Sequence, residues 1–403
     1  MSAMRPFKEL MDFETAKKTI MENTREISVT EKVPVREAEG RVLAATVKAP
    51  LDVPGFRRAA MDGYAVVAED TFGAARTDPK HLAMKGKIFA GKKPEDKVVS
   101  GSCIQIATGA PMPEGADAVV MVEETSVEGD DVSIYKPVYP GANVSEQDSD
   151  IQKGTEVLYA GVLLTPPRIG VLAALGFESV EVYSRPKVMV FPTGDEVVPP
   201  GTKLQYGKVY DINSYTLTSL LQASGAEVKV MEITGDSREE LKGSIERASE
   251  YDYAVFSGGS SVGERDLIFE VVAELGTLLF HGIALKPGKP TICGIVGNTM
   301  VFGMPGYPTS CLTNAYVLLL PSVRKMARLP MEPRTGKAVL STNITSTIGR
   351  HQIYTVRVED GVAYPAFKES GAITSMSFAS GYIEISANTE YLEEGAEVVI
   401  YYF

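Results

Sequence analysis

The chain has 403 residues, 44% of them hydrophobic and 23% charged, with a formal net charge of −12 at pH 7. That length exceeds what one hydrophobic core serves, so two to four domains are expected, and the acidic balance argues against general affinity for nucleic acid. The three cysteines have no C-x-x-C spacing and the three histidines are far apart in sequence. This pattern fits a reduced, cytoplasmic setting and disfavours a zinc site or a histidine-based triad; a metal would be held by carboxylate oxygens, which favours Mg²⁺. No run of about 18 apolar residues predicts a membrane span. The first 25 residues mix acids and bases without an apolar segment, so no secretory leader is expected.

Read from the N-terminus, Asp12 is placed to cap a helix with Phe13, Ala16, Ile20 and Met21 on one face. A β-type run covers residues 35–47. Pro/Gly-punctuated stretches at 49–56 and 138–143 then bracket short strand-like runs at 103–106, 118–122 and 132–135. The pattern predicts a β-rich domain, residues 51–146, inserted into an elongated α+β domain made of residues 1–50 and 147–185. The parent resumes with an extended run at 157–164 and a helix after Thr165-Pro166-Pro167.

From Pro186 strands and helices alternate. Strands are expected at 188–191, 228–233, 253–256, 277–283 and 300–302. Asn213 is placed to cap one helix, others begin at a Ser237/Glu240 capping box, after Asp266, and at Thr309, and Pro321 should break or kink the last of them. This alternation predicts a doubly wound α/β domain over residues 186–328 with right-handed crossovers. Short strands at 338–340, 352–358, 382–385 and 397–402 predict a C-terminal β-barrel domain, residues 329–403.

The stretch Ser257-Gly258-Gly259-Ser260-Ser261-Val262-Gly263-Glu264-Arg265-Asp266 joins a strand to a helix face formed by Leu267, Ile268, Val271, Val272 and Leu275. Glycines allow close backbone approach and the first-turn N–H groups point at a ligand, so the loop suits an anion, with Asp266 in position to carry a metal beside it. Alone, such a loop reads equally as a flexible connector. Ligands of open α/β sheets bind beyond the carboxyl ends of the strands. The other polar clusters fall there too: Thr193-Gly194-Asp195-Glu196, Thr234-Gly235-Asp236, Lys286-Pro287-Gly288-Lys289-Pro290 and Met304-Pro305-Gly306-Tyr307-Pro308-Thr309. T-G-D is a common turn and K-P-G-K an ordinary type II turn, so each is weak singly. Five at one edge are hard to attribute to chance.

Their chemistry belongs together. Glu196, Asp236 and Asp266 are hard oxygen ligands suited to Mg²⁺, and Lys286 and Lys289 are cationic points for tetrahedral oxyanions or phosphates. Metal, lysines and a helix N-terminus recur in phosphoryl chemistry, where positioning and charge neutralisation carry the catalysis. The loop is not a Walker A motif, because Gly288-Lys289 is followed by Pro290, and there is no G-x-G-x-x-G fingerprint. In the predicted insertion, Ala60-Met61-Asp62-Gly63-Tyr64-Ala65 sets a carboxylate on a tight turn, and the stretch from Thr108 to Asp117 is a Pro/Gly-stiffened loop. Turn chemistry alone also accounts for both.

Taken in order, these motifs resemble the MoeA family, the molybdopterin molybdenumtransferases, which includes the E-domain of gephyrin. The matching stretches run from Asp52-Val53-Pro54-Gly55-Phe56 through Asp62, Thr108, Glu196, Asp266 and the K-P-G-K turn to Pro305 and Pro308. The resemblance implies the four domains above and a homodimer whose cleft combines the α/β domain of one subunit with the insertion of the other. It implies a reaction that inserts molybdate into adenylylated molybdopterin, with Mg²⁺-dependent hydrolysis of the adenylate and release of AMP. Glu196, Asp236 and Asp266 would then bind metal and reacting phosphates. Ser257, Gly258, Gly259, Ser260, Ser261, Gly263, Lys286 and Lys289 would bind anions, Asp62 and Thr108 would reach in from the partner, and Pro305 and Pro308 would shape the pocket wall.

Two departures touch the anion pocket: Tyr307 stands where many members have Asn, and a Lys that some members carry near Gly282 is absent. Tungstate, nearly identical to molybdate in size and charge, is an alternative oxyanion. The competing readings are a molybdopterin adenylyltransferase, which would need neither the insertion nor the barrel, and a non-catalytic cofactor carrier or scaffold, which would not need all four acids. Partners implied are the adenylyltransferase and the recipient molybdoenzymes.

Overall fold

Apolar runs of four to six residues, too short for helices, form a six-stranded sheet at the heart of the first of two structural units. The computed structural model describes residues 10–233, 235, 237–258, 267–367 and 371–403. One unit comprises Met1–Glu31, Gly40–Val42 and Val182–Phe403, and the other Lys32–Glu39 and Leu43–Glu181.

In the first unit the strands are β1 (Lys187–Pro192), β2 (Glu227–Val230), β3 (Tyr253–Ser257), β4 (Thr277–His281), β5 (Ile292–Val296) and β6 (Thr299–Met304), in the order β2-β1-β3-β6-β5-β4. Strands β2, β1, β3 and β6 pair in parallel, whereas β5 runs antiparallel between β6 and β4. Side chains alternate across the sheet. Val188, Val190, Tyr253, Val255, Met300 and Phe302 face one side, against Phe13, Ala16 and Ile20 of helix Phe13–Asn23, Leu217 and Leu221 of helix Asn213–Ala223, and Cys311, Leu319 and Val323 beyond Pro308. Met189, Phe191, Ala254, Phe256 and Val301 face the other, against Leu241 and Ile245 of helix Arg238–Arg247 and Ile268, Val271 and Val272 of helix Leu267–Leu275. The sheet is therefore buried on both faces, the doubly wound arrangement that the alternation predicts.

Several local expectations need correction. Strand β5 was not foreseen, because Gly294 and Gly297 dilute its apolar signal; a Cβ on Gly294 would lie 2.4 Å from Val272 Cγ1, so the glycine lets helix and sheet meet. The run at 35–47 is a 3₁₀ turn at Val35–Glu37 and a strand only at Val47–Lys48, and the run at 157–164 is a strand only at Glu156–Leu158. Pro321 does not end its helix, but the regular α-helical path is interrupted directly before it. The helical path runs from Pro308–Asn314 through a wide π turn at Ala315–Leu319 into Leu320–Met326, leaving Pro321 in the first turn of the last piece, where its lack of an N–H costs little. Asn213 is not the cap of its helix: Asp211 accepts the Ser214 N–H at 3.0 Å. The caps at Asp12 and Ser237 are as expected, accepting from the Thr15 and Glu240 N–H groups.

In the same unit, strands His351–Glu359, Val362–Pro365, Thr335–Leu340, Glu397–Tyr402 and Gly381–Ile385 pair in succession, and the last pairs back to the first. The closed ring buries Leu340, Val356, Ala363, Ile383 and Ile400, and Leu285–Lys286 joins it in parallel beside His351 and Gln352. The second unit is built on another six-stranded sheet whose strands all lie between Gly63 and Ile134. There Asp52 accepts the Lys153 N–H and the Gln147 amide, both at 2.8 Å, and these donors hold its carboxyl below the usual range. No helix among the described residues is long and apolar enough to cross a membrane.

All three cysteines are fully buried, and burial pushes the Cys103 thiol up to about 12 and raises Cys293 and Cys311 as well. Their thiolate population at neutral pH is negligible. Native protein at pH 8 should therefore leave all three thiols unmodified by a disulfide reagent over a period in which guanidinium-unfolded protein titrates three; rapid native labelling of any one would contradict this packing.

Candidate functional site

Parallel pairing aligns Pro192, Ser257 and Met304 across β1, β3 and β6, so the segments that follow emerge side by side. The ladder continues one step further: the Thr193 N–H donates to the Ser257 carbonyl and the Gly258 N–H to the Met304 carbonyl, each at 3.3 Å. Gly258 has φ +121°, and a Cβ there would lie 2.5 Å from the Thr193 carbonyl oxygen and 2.9 Å from its Oγ1. Only glycine lets the chain leave β3 this close to its neighbour.

The loop between β4 and β5 reaches the same edge, because Ile292 pairs with Gly303 near the carboxyl end of β6. Four contacts fix its shape. The Gly282 N–H donates to the Thr291 carbonyl and the Ile283 N–H to the Lys289 carbonyl, both at 2.9 Å. Asn314, fully buried, donates through Nδ2 to the Gly288 carbonyl at 2.9 Å and to Thr291 Oγ1 at 2.5 Å. Gly288, at φ +102°, has no room for a Cβ, which would sit 2.2 Å from Asn314 Nδ2. A second asparagine, Asn213, donates to the Gly306 carbonyl at 3.0 Å and so holds the Pro305–Pro308 turn.

Around this frame Ser257 and Pro305 are buried, while Pro308 is half-buried and opens its helix. Lys286 and Lys289 are half-buried, and Lys286 Nζ donates to Thr347 Oγ1 at 3.1 Å. Glu196 is exposed just beyond β1, its carbonyl accepting the Val209 N–H at 2.9 Å in a short parallel ladder, Val197–Val198 with Val209–Tyr210. Asp236, Asp266, Gly259, Ser260, Ser261 and Gly263 lie outside the described residues. In the second unit, Asp62 Oδ1 accepts the Thr108 N–H at 2.7 Å, so the two motifs of that segment form one exposed tip. Gly63 is obligatory there, since a Cβ would fall 1.9 Å from the Val120 carbonyl oxygen.

Sequence reasoning did not assign roles to Thr193, Thr218, Thr309 or Asn314. Of the seven buried side-chain polar atoms without a hydrogen-bond partner among the described residues, five belong to Thr193, Asn213, Thr218, Thr309 and Asn314. All five follow the carboxyl ends of β1 or β6. Buried polar atoms without partners are costly in a core, so each calls for a reason beyond packing. The available signal was an asparagine interrupting an otherwise apolar helical run after Cys311. Beside Pro192 a pocket of about 790 Å³ opens between the end of β2 and helix Asn213–Ala223, with Tyr215, Thr218, Met231 and Ile233 in its lining. That is the size of a site for an organic ligand of moderate mass.

The chain matches three family models: the MoeA N-terminal region (domains I and II) over residues 11–176, a probable molybdopterin binding domain over 189–325, and the MoeA C-terminal region (domain IV) over 337–403. It is 34% identical to a molybdopterin molybdenumtransferase of Haemophilus influenzae over 85% of this chain and 84% of that protein. It is 36% identical to molybdopterin molybdenumtransferase 2 of Mycobacterium tuberculosis, over 79% and 81%. Two solved structures of molybdopterin biosynthesis MoeA proteins from Pyrococcus horikoshii are similar throughout: one at 39% identity and TM-score 0.82, covering 98% and 99% of the two chains, the other at 34% and 0.84, covering 98% and 100%.

The Gly288–Asn314 contact generates a test of how the turn is held. Gly288→Ala should lower Tm, and the loss should be smaller in an Asn314→Ala background, because the added methyl then meets no carboxamide; coupling of roughly 0.5–3 kcal/mol is expected for touching residues. Additive losses would mean that the two groups do not touch.

Proposed function

The chain belongs to the MoeA family, and we propose that it works in molybdenum cofactor biosynthesis as a molybdopterin molybdenumtransferase. In this reading it inserts molybdate into adenylylated molybdopterin, and hydrolysis of the adenylate, supported by Mg²⁺, releases AMP. The observation that carries the reading is that tight glycine turns, two lysines and the segments holding Thr193 and Thr309, whose buried hydroxyls have no partner among the described residues, all follow the carboxyl edge of the α/β sheet.

The residue types fit the groups assigned to them. Glu196, exposed just beyond the end of β1, offers hard oxygen donors, and Mg²⁺ is commonly held by one or two carboxylates together with substrate phosphates and water. Glu196, with Asp236 and Asp266, would hold the ion, which supplies charge neutralisation when bound. The backbone beginning at Ser257 and Gly258 and continuing through Gly259, Ser260, Ser261 and Gly263 would donate N–H groups to phosphate oxygens. Lys286 and Lys289, on a turn stiffened by Asn314, would bind the oxyanion, molybdate or the near-identical tungstate. Pro305 and Pro308 would wall the pocket, and the cavity beside Tyr215 suits the flat organic part of the substrate.

We further propose a cytoplasmic homodimer in which Asp62 and Thr108 complete the partner's site, with the chain divided into residues 1–50 with 147–185, 51–146, 186–328 and 329–403. An adenylyltransferase would supply the substrate, and molybdoenzymes would receive the product. The adenylyltransferase reading is the weaker one, since this chain also matches the family's N-terminal and C-terminal regions.

Two experiments test the reading. Purified protein given adenylylated molybdopterin, Mg²⁺ and molybdate should release AMP, and Lys286→Ala should raise the half-saturating molybdate concentration on the order of 10- to 100-fold, the worth of one charge-assisted contact. No AMP from the unmodified protein would overturn the assignment, and an unchanged molybdate dependence would remove Lys286 from it. Shared sites predict complementation: Asp62→Ala and Asp266→Ala chains, each inactive alone, should recover about a quarter of the sites after random exchange, because half the dimers then hold one intact site of two. Mixed dimers seen by mass spectrometry without recovered AMP release would rule out sharing.

A further inference from the structure

Glu14, His351 and Glu384 converge on one point within the first unit: one ligand atom from each lies within 4.8 Å of the others. The backbone arranges this. Antiparallel register sets Ile353 opposite Glu384, so His351 and Glu384 are diagonal neighbours on one face of the ring. Glu14 is delivered by the first turn of helix Phe13–Asn23, which is anchored through Phe13; that ring lies 4.3 Å from the His351 imidazole.

His351 Nε2 is buried and has no hydrogen-bond partner among the described residues, although Glu384 Oε2 is only 3.3 Å away. The ring nitrogen thus lies close to Glu384 without the alignment of a hydrogen bond, and Glu14 offers a carboxylate oxygen within 4.8 Å of both ligand atoms. Donor atoms at 2.0–2.2 Å from a four-coordinate ion stand about 3.4 Å apart. The His351–Glu384 pair already has that spacing, with side chains 13% and 19% exposed. The Glu14 side chain, 65% exposed, has room to close the remaining distance; its 3.9 Å contact with Lys17 is a surface pair of small energetic weight.

We propose that Glu14, His351 and Glu384 form a binding site for a divalent transition-metal ion, which staples the N-terminal helix to the C-terminal ring. One imidazole nitrogen with two carboxylate oxygens suits Zn²⁺ or a neighbouring first-row ion, whereas Mg²⁺ prefers oxygen alone. None of the three residues belongs to the proposed transfer chemistry.

Chelator-stripped full-length protein, dialysed against Zn²⁺ in millimolar Mg²⁺ to occupy hard-oxygen sites, should take up one Zn²⁺ per chain and gain thermal stability. Affinity should fall at least about tenfold in His351→Ala and Glu384→Gln, and also fall in Glu14→Gln, whose exposed side chain leaves folding intact. In the unmodified protein, Co²⁺ should show the intense visible bands of a four- or five-coordinate ion. Uptake below stoichiometry, uptake equal in all three variants, or the weak spectrum of hydrated Co²⁺ would each overturn the proposal.

Discussion

The alignment of Pro192, Ser257 and Met304 across three parallel strands is the constraint from which the candidate site follows. Parallel strands share one carboxyl edge, and their register fixes where each following segment begins. Because the three ends are level, their loops compete for the same space, and only residues without a side chain can resolve the crowding. Gly258 passes beneath Thr193 for this reason, where a Cβ would lie 2.5 Å from the Thr193 carbonyl oxygen. A slip of one residue in β3 would send Phe256 to the opposite face and remove both the core contact with Phe191 and the loop geometry. Core packing and site construction are thus set by one register.

The edge also carries a cost. Each buried polar atom left without a partner disfavours folding by about 1–3 kcal/mol, and five such atoms, on Thr193, Asn213, Thr218, Thr309 and Asn314, lack one among the described residues of the segments that follow β1 and β6. A protein of ordinary marginal stability tolerates this only if the rest of the sheet over-determines the backbone. The two fully occupied apolar faces provide that surplus, and the asparagine contacts to Gly288 and Gly306 convert it into rigid turns.

How much of this was legible in the sequence depended on the range of the interaction. The doubly wound alternation, the closing ring and the Asp12 and Ser237 caps are local patterns and read correctly. Asn213 shows the limit: it stands at a helix start and looks like a cap, but Asp211 takes that role and Asn213 spends its amide on Gly306, 93 residues away. Asn314 was invisible for the same reason, its partners being Gly288 and Thr291. Strand β5 failed differently, since Gly294 is there for packing against Val272 and breaks the apolar run that would reveal it. The histidines, far apart in sequence, gave no metal spacing, yet one of them stands between two acids once strand register and helix packing are known.

Charge explains why the proposed chemistry needs a cation. The chain carries −12 overall, and the sequence sets Glu196, Asp236 and Asp266 in segments that follow β1, β2 and β3, the same edge at which the lysine turn and the glycine loop favour an anion. A carboxylate and a phosphate oxygen about 4 Å apart repel by ~4 kcal/mol at the effective dielectric of a protein surface. Two lysines on one turn cannot neutralise three acids and a substrate that is itself multiply anionic. In the proposed reaction a divalent ion bound by the acids and the phosphates would reverse the sign of that interaction and make substrate binding and metal binding mutually dependent. The affinity of the edge for anions should then come from the bound cation and the fixed N–H donors together, with the long-range field of the protein opposing it throughout.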